Sequence, residues 1–316
     1  MPTMATHHPS PESGLTRVDL AELVALRVRA GKPVARAANI RTPLAGGHVS
    51  ALRGRGMDYA ESRIYQAGDD SRNIDWRRTA RSGKWHTKLF QAERERSSLL
   101  LIDTHSTMQF GTRARFKSVA AARAAAWLAW TCVRGGDRVG AMAFGAQRAA
   151  VDPQPGTRGA LAVLGAVARW DEQGLPAREG TAEPLSAALA RARRMALTGS
   201  RIWLLSDGWC TDDSAAHALV RLKRRAEVRA VIVADALEQA LAPAGDYVFE
   251  TNAGRLHVDL SAASARAELR NRLSHGWRVL AKACDDASVP WVRLATGDEP
   301  DAILAPLLRG RMEYRR

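Results

Sequence analysis

Cysteine is scarce: three residues in a chain of 316, at Cys132, Cys210 and Cys284. An odd number at wide spacing excludes a disulfide framework and a paired-cysteine zinc site, and it fits reduced thiols in a cytoplasmic protein. Cys132 and Cys284 lie in apolar helical contexts and read as inert core residues. Cys210 follows Asp207-Gly208-Trp209 and borders a candidate crevice. No base stands near it in the sequence, which favours a structural role over a nucleophilic one. Lysine is also rare, confined to positions 32, 84, 88, 117, 223 and 282, so the formal charge of +14 is carried by scattered arginines. No basic block or nucleic-acid-binding module accompanies that charge. It reads as a solvated surface or as attraction for an acidic partner, with nucleic acid the weaker choice. Long apolar runs are missing as well. The longest, Val119 to Val133, is broken by Arg123 and is shorter than the roughly 20 residues that span a bilayer. Residues 1–14 are polar and lack the apolar centre of a signal peptide. The expectation is a cytoplasmic protein with no membrane span.

What remains is an ordinary globular composition, 46% hydrophobic and 25% charged, long enough for a substantial core. The stretch Ser97 to Gly111, SSLLLIDTHSTMQFG, organises it. Four apolar residues, Leu99 to Ile102, stop at Asp103 and give way to hydroxyls. Such a run predicts a buried parallel strand opening into a loop, and ligands bind in the crevice at that end of α/β sheets. A second run, Arg201 to Ser206, also ends in an acid, Asp207, and a third is Glu227 to Ala234. Helical patterns lie between and beyond them: Arg115 to Val133, Thr157 to Trp170, Thr181 to Met195 with Thr181 as N-cap, Ala215 to Arg225, a long helix over Ala262 to Cys284, and Pro300 to Leu308. Further strands are expected at Asp137 to Phe144, at an edge near Gln147 to Asp152, and at Val289 to Leu294. A hairpin is expected around Asn252-Ala253-Gly254. This alternation predicts an α/β fold with a doubly wound, mostly parallel sheet over 97–310.

Ahead of that region, 1–40 reads as a tail and a short helix (Leu20 to Ala30), and 41–96 as a small β-containing subdomain. Its stretch Arg53 to Trp76 is dense in charge, punctuated by Gly54, Gly56 and Gly68, and carries Tyr59, Ile64, Tyr65, Ile74 and Trp76. Arg63, Asp69, Asp70, Arg72 and Asp75 predict an internal ion-pair network rather than a catalytic cluster. Lys84 to Phe90 alternates like a strand.

Parallel strands ending at Asp103 and Asp207 bring both carboxylates to one sheet edge. Carboxylate and hydroxyl oxygens are what a hard cation such as Mg²⁺ requires. The spacing Asp103-x-His105-x-Thr107, with Thr181 and Asp207, resembles the metal-ion-dependent adhesion site of von Willebrand factor A (vWA) domains. The segment RIYQAGDDSRNIDW, Arg63 to Trp76, resembles the signature of the DUF58 family, which carries a vWA-like domain behind it. Lys117, Gly136-Asp137-Arg138-Val139-Gly140, Ser206-Asp207-Gly208 and Asp235-Ala236-Leu237-Glu238 continue the likeness, over roughly 46 to 310.

The resemblance implies a vWA-like, Rossmann-like fold and a metal site built from Asp103, His105, Thr107, Thr181 and Asp207, holding Mg²⁺ or Mn²⁺. It also implies a non-enzymatic protein-interaction module, partner or adaptor of a MoxR-type AAA+ ATPase and other vWA proteins in a chaperone-like assembly. An open metal position would accept an acidic side chain of the partner. One departure stands out. His105 replaces the serine of the adhesion-site pattern, and imidazole suits Zn²⁺, Ni²⁺ or Cu²⁺ better than Mg²⁺. A degenerate site, with Asp103 and Asp207 binding helix starts or backbone amides, is the structural alternative. A metal-dependent hydrolase using Asp103 and Asp207 is the catalytic alternative, although His86, His217 and His257 are isolated and no nucleophile stands beside a base. A basic nucleic-acid-binding protein is the third.

Overall fold

The structure, a computed structural model, describes residues 14–30, 57–66, 69–92, 96–173, 183–240, 243–251 and 254–308. The chain forms two compact units: Met1–Asn39 with Arg96–Arg316, and Ile40–Glu95.

The larger unit opens with helix α1 (Leu20–Ala25), capped by Asp19, whose carboxylate accepts from the Ala21 amide at 2.9 Å. Helix α1 ends before the expected Ala30. Its last carbonyls and those of the following turns are drawn to tertiary donors: Trp130 Nε1 bonds Leu23, Trp127 Nε1 bonds Arg29, and Arg134 bonds Arg27 and Ala30.

The smaller unit holds strand β1 (Met57–Ile64), helix α2 (Trp76–Ser82) and strand β2 (His86–Ala92). β1 and β2 pair antiparallel, with Ile64 opposite His86. β1 falls inside the charged, glycine-punctuated stretch. The register with β2 shifts between Tyr59 and Glu61, which breaks a simple period of two along the strand. Gly83, at φ +67°, closes α2 in the left-handed conformation that glycine adopts without steric cost.

From residue 96 the chain winds a six-stranded sheet: β3 (Ser97–Asp103), α3 (Lys117–Arg134), β4 (Arg138–Phe144), β5 (Ala150–Gln154), α4 (Gly156–Glu172), α5 (Leu185–Met195), β6 (Ser200–Ser206), α6 (Ala215–Lys223), β7 (Ala226–Ala234) and α7 (Ala236–Gln239). A separate hairpin of β8 (Asp246–Thr251) and β9 (Gly254–Asp259) follows. Then come α8 (Ala263–Leu273), α9 (His275–Asp286), β10 (Trp291–Ala295) and α10 (Pro300–Leu308). The strand order is β10-β7-β6-β3-β4-β5, parallel throughout except for the edge strand β5. This is a doubly wound, mostly parallel α/β fold. β3 is central because both of its faces are apolar. Leu100 and Ile102 pack with the Ala-rich α3, with α4 and with α10, while Leu99 and Leu101 pack with α5, α6 and α9.

Two sequence expectations change. The helix expected from Thr181 begins at Leu185. Pro184 is extended (φ −67°, ψ 156°), and the helix start is held from a distance, Leu185 N donating to the Cys210 carbonyl and Ser186 N to Asp212. Thr181 lies outside the described residues. The single long helix over 262–284 is two helices meeting at Ser274. α8 buries no residue, whereas α9 buries Leu280, Ala283 and Cys284. At the break, Gly276 is covered so closely by Trp209 that a β-carbon there would lie 2.6 Å from its ring. Among the described residues no helix is long and apolar enough to cross a membrane.

Asp235, fully buried just beyond β7, ties three strand-end loops together. Its carboxylate accepts from Thr112 Oγ1 (2.5 Å) and N (3.2 Å), Thr296 Oγ1 (2.9 Å) and Leu237 N (3.0 Å). Burial opposes ionisation, but these donors outweigh it and hold the carboxyl below its ordinary value. A depressed folded-state pKa contributes stability above the unfolded value of about 3.9, and that stability is lost as pH falls through the folded value. Asp235→Asn is therefore expected to cost about 1–3 kcal/mol at neutral pH, with the gap to wild type narrowing in urea melts below about pH 4.

Candidate functional site

β3 and β6 are hydrogen-bonded neighbours, with Ile102 opposite Leu205, so their next residues reach the sheet edge together. The chain turns one way from β3, to β4, and reaches the other side through β6. The gap between them is the topological switch point where α/β folds open a crevice.

On one side of this edge stands Asp103, 2% exposed. Its Oδ1 accepts from the His105 amide at 2.9 Å and lies 2.6 Å from His105 Nδ1. Its Oδ2 accepts from Ser206 Oγ at 2.5 Å and from Cys210 Sγ at 3.5 Å. The His105 ring is held edge-on to Phe144 and lies against Gly145, where a β-carbon would meet Nδ1 at 2.4 Å. Gly145 also has φ +98°, so both its backbone and its neighbour exclude a side chain. Burial alone would lower the His105 pKa. The hydrogen bond and charge of Asp103, with Asp207 and the Glu183 carbonyl adding, raise it instead. Burial pushes the Cys210 thiol well up, and the Asp103 charge pushes it further.

On the other side stands Asp207, 1% exposed. Its Oδ1 accepts from the Trp209 amide at 3.1 Å, and its Oδ2 faces Lys117 Nζ at 2.7 Å. Lys117 is itself 1% exposed and also donates to Glu238 Oε1 at 2.8 Å. Glu238 returns its other oxygen to the Asp235 amide, completing the capping box of α7. The Phe110 ring lies 5.5 Å from the ammonium. Burial would lower the Lys117 pKa, but the charges of Asp207 and Glu238 outweigh it and hold the ammonium protonated above its ordinary value.

Of the residues singled out by the adhesion-site spacing, the structure brings Asp103 and His105 into direct contact and turns Asp207 to Lys117. The Thr107 hydroxyl is buried with no hydrogen-bond partner, and Thr181 is outside the described residues. The sequence places Cys210 beside the crevice as a structural residue and shows Lys117, Ser206 and Glu238 only as points of family likeness; it assigns none of the four to the site. A lysine at the start of a helix carries no local sign that it will be buried.

A magnesium or manganese ion needs an oxygen shell with near-octahedral geometry. Here one carboxylate is bonded to an ammonium and the other to an imidazole, a thiol and a hydroxyl. The side chains as placed do not fit a hard divalent cation. They do gather donors of another kind: one atom each of Asp103, His105 and Cys210 lie within 4.8 Å of one another. Among the described residues of the site no hydroxyl or thiol is hydrogen-bonded to the imidazole. Asp103 stands between Ser206 and His105, so the imidazole faces the carboxylate and not the hydroxyl.

The profile of the family described as "Protein of unknown function DUF58" matches residues 61–276. Uncharacterized proteins of Mycobacterium bovis and Mycobacterium tuberculosis are 31% identical over 208 residues, 66% of this chain and 64% of theirs. The match thus spans less than two thirds of these curated relatives. Among solved structures the chain is similar to the conserved hypothetical protein BatB from Bacteroides thetaiotaomicron: TM-score 0.41, 14% identity, covering 66% of this chain and 94% of that one. It is also similar to proximal thread matrix protein 1 from the mussel byssus, solved with a zinc-occupied MIDAS motif: TM-score 0.33, 14% identity, covering 44% and 38%.

Removing one partner of a buried ion pair leaves an uncompensated charge. Lys117→Met is expected to cost about 3–5 kcal/mol in chemical denaturation at pH 7, because two buried carboxylates lose their ammonium. Adding Asp207→Asn to that variant should recover part of the loss. An equal or greater loss in the double variant would show that the Lys117 stem, not its charge, matters.

Proposed function

The chain belongs to the DUF58 family, and on that premise we propose that it is a non-enzymatic, vWA-like protein-interaction module whose switch-point crevice is charge-balanced by the protein's own side chains. One observation carries this reading: the Lys117 ammonium lies 2.7 Å from Asp207 and 2.8 Å from Glu238, where a bound cation would otherwise balance the strand-end charge. With the Asp103–His105 pair beside it, the network holds the loops after β3 and β6 without an added metal. Those loops present a rim to a partner. Trp209 is 41% exposed and packs against His275 at 5.7 Å between ring centres. A half-buried tryptophan on a fixed loop is the kind of anchor that dominates interface energetics.

The partner we propose is a MoxR-type AAA+ ATPase, with other vWA proteins in the same assembly. The reading rests on the family resemblance and on a net charge of +14, which favours an acidic docking surface. The site geometry argues against the hydrolase alternative, since both strand-end acids are engaged by neighbouring side chains. Affinity purification from cells expressing both proteins is expected to enrich the ATPase equally with and without EDTA, and Trp209→Ala should reduce recovery about tenfold. Failure to enrich an AAA+ ATPase under either condition rejects the partner. Recovery that requires Mg²⁺ rejects the metal-free crevice.

A second reading rests on Asp103, His105 and Cys210. Carboxylate, imidazole and thiolate form a zinc donor set, and the ion would displace the His105 and Cys210 protons. Equimolar Zn²⁺ would then raise the melting temperature of wild type and leave Cys210→Ser unchanged. No shift in wild type removes this reading.

A further inference from the structure

The family signature lies in the unit Ile40–Glu95, and the switch-point crevice does not account for it. Its acids are used locally. Asp69 pairs with Arg63 at 2.6 Å and accepts from the Gln66 amide. Asp70 caps the 3₁₀ turn Ser71–Asn73 through the Arg72 amide at 2.9 Å. Asp75 caps α2 through the Arg78 amide at 3.1 Å and accepts from Ser62 Oγ at 2.6 Å. The expected ion-pair network is thus mostly a set of caps, and Arg63–Asp69 is its one ion pair among the described residues of this unit.

The apolar and cationic residues of the same segment face outward. Trp76 is 65% exposed, Trp85 57% and Ile64 58%. The two indoles sit 6.2 Å apart, and Tyr65 lies 6.2 Å from Trp85. The three rings come from the residue just after β1, from α2 and from the turn before β2, so the fold assembles the cluster from three places in the chain. Arg77 and Arg81, four apart on α2, and Lys84, beside Trp85, are exposed and have no ion-pair partner among the described residues. A folded protein seldom leaves two adjacent tryptophans open to solvent unless they meet a partner.

We propose that this aromatic and basic patch is a docking surface for an acidic polypeptide segment that carries apolar side chains, independent of the switch-point crevice. The indoles would take the apolar side chains, while Arg77, Arg81 and Lys84 would take the carboxylates. Charge complementarity sets the sign of the partner, because the neighbouring carboxylates are already occupied by caps and by Arg63. The ring geometry selects polypeptide over single-stranded nucleic acid. The aromatics lean on one another at 55° and 58°, so they do not offer the separate open faces on which successive bases stack.

The test uses the full chain and fluorescence anisotropy with a labelled twelve-residue peptide of alternating glutamate and leucine. Saturable binding is expected, weakening as salt rises. Trp76→Ala and the pair Arg77→Glu/Arg81→Glu should each weaken it about tenfold, the usual scale for an interface anchor. Arg77→Lys/Arg81→Lys should keep most of the affinity, and Arg221→Glu on α6 should leave it unchanged. Melting curves establish that each variant is folded, which the exposure of the three substituted patch positions, Trp76, Arg77 and Arg81, favours. Absence of saturable binding to the full chain overturns the proposal. So does binding that both patch variants leave intact, or tighter binding of a dodecameric oligothymidylate than of the peptide.

Discussion

The ion cluster of Lys117 with Asp207 and Glu238 is the constraint around which the larger unit is arranged. It joins the first residue of α3, the loop after β6 and the short helix α7 after β7. Each of these leaves a different strand at the same edge of the sheet. None of the three charges could be buried without the others, since an isolated ion in an apolar interior costs more than folding can offset. The cluster therefore fixes the relative positions of the loops as firmly as the apolar layers fix the strands. Asp235 extends the same tie to the loop at Thr112 and to the end of β10, through Thr296.

That arrangement changes what the strand-end acids mean. In an adhesion site, two acids and hydroxyls share a cation. Here the positive charge is covalently part of the chain on one side, and on the other side an imidazole occupies the space beside Asp103. Trp209 rises from this edge, and Gly208 and Gly276 are small enough to let the Trp209 loop lie against α9. The signature unit follows a similar economy. Its carboxylates satisfy backbone amides at helix starts, which leaves arginines and tryptophans on the surface.

The apolar runs ending at Asp103 and Asp207 were readable because a strand buried on both faces has no polar alternation to disguise it. Their parallel pairing followed from the helices between them. β1 was harder, since its bulge breaks the period of two. The break between α8 and α9 was hidden because residues 262–284 keep helical composition throughout, and the cause lies on another element, Trp209. The start of α5 was misplaced for a similar reason: its amides are satisfied by Cys210 and Asp212, some 25 residues away in sequence.

The sequence by itself determined the fold class, the family and the pair of acids at the sheet edge, because hydrophobic periodicity and a long signature are properties of neighbouring residues. Only the tertiary structure decided what those acids face. A carboxylate at a strand end looks the same in sequence whether it meets a metal ion, an imidazole or an ammonium. The choice of Lys117 for Asp207 depends on α3 delivering a side chain from 90 residues away into a space too apolar to leave either charge alone.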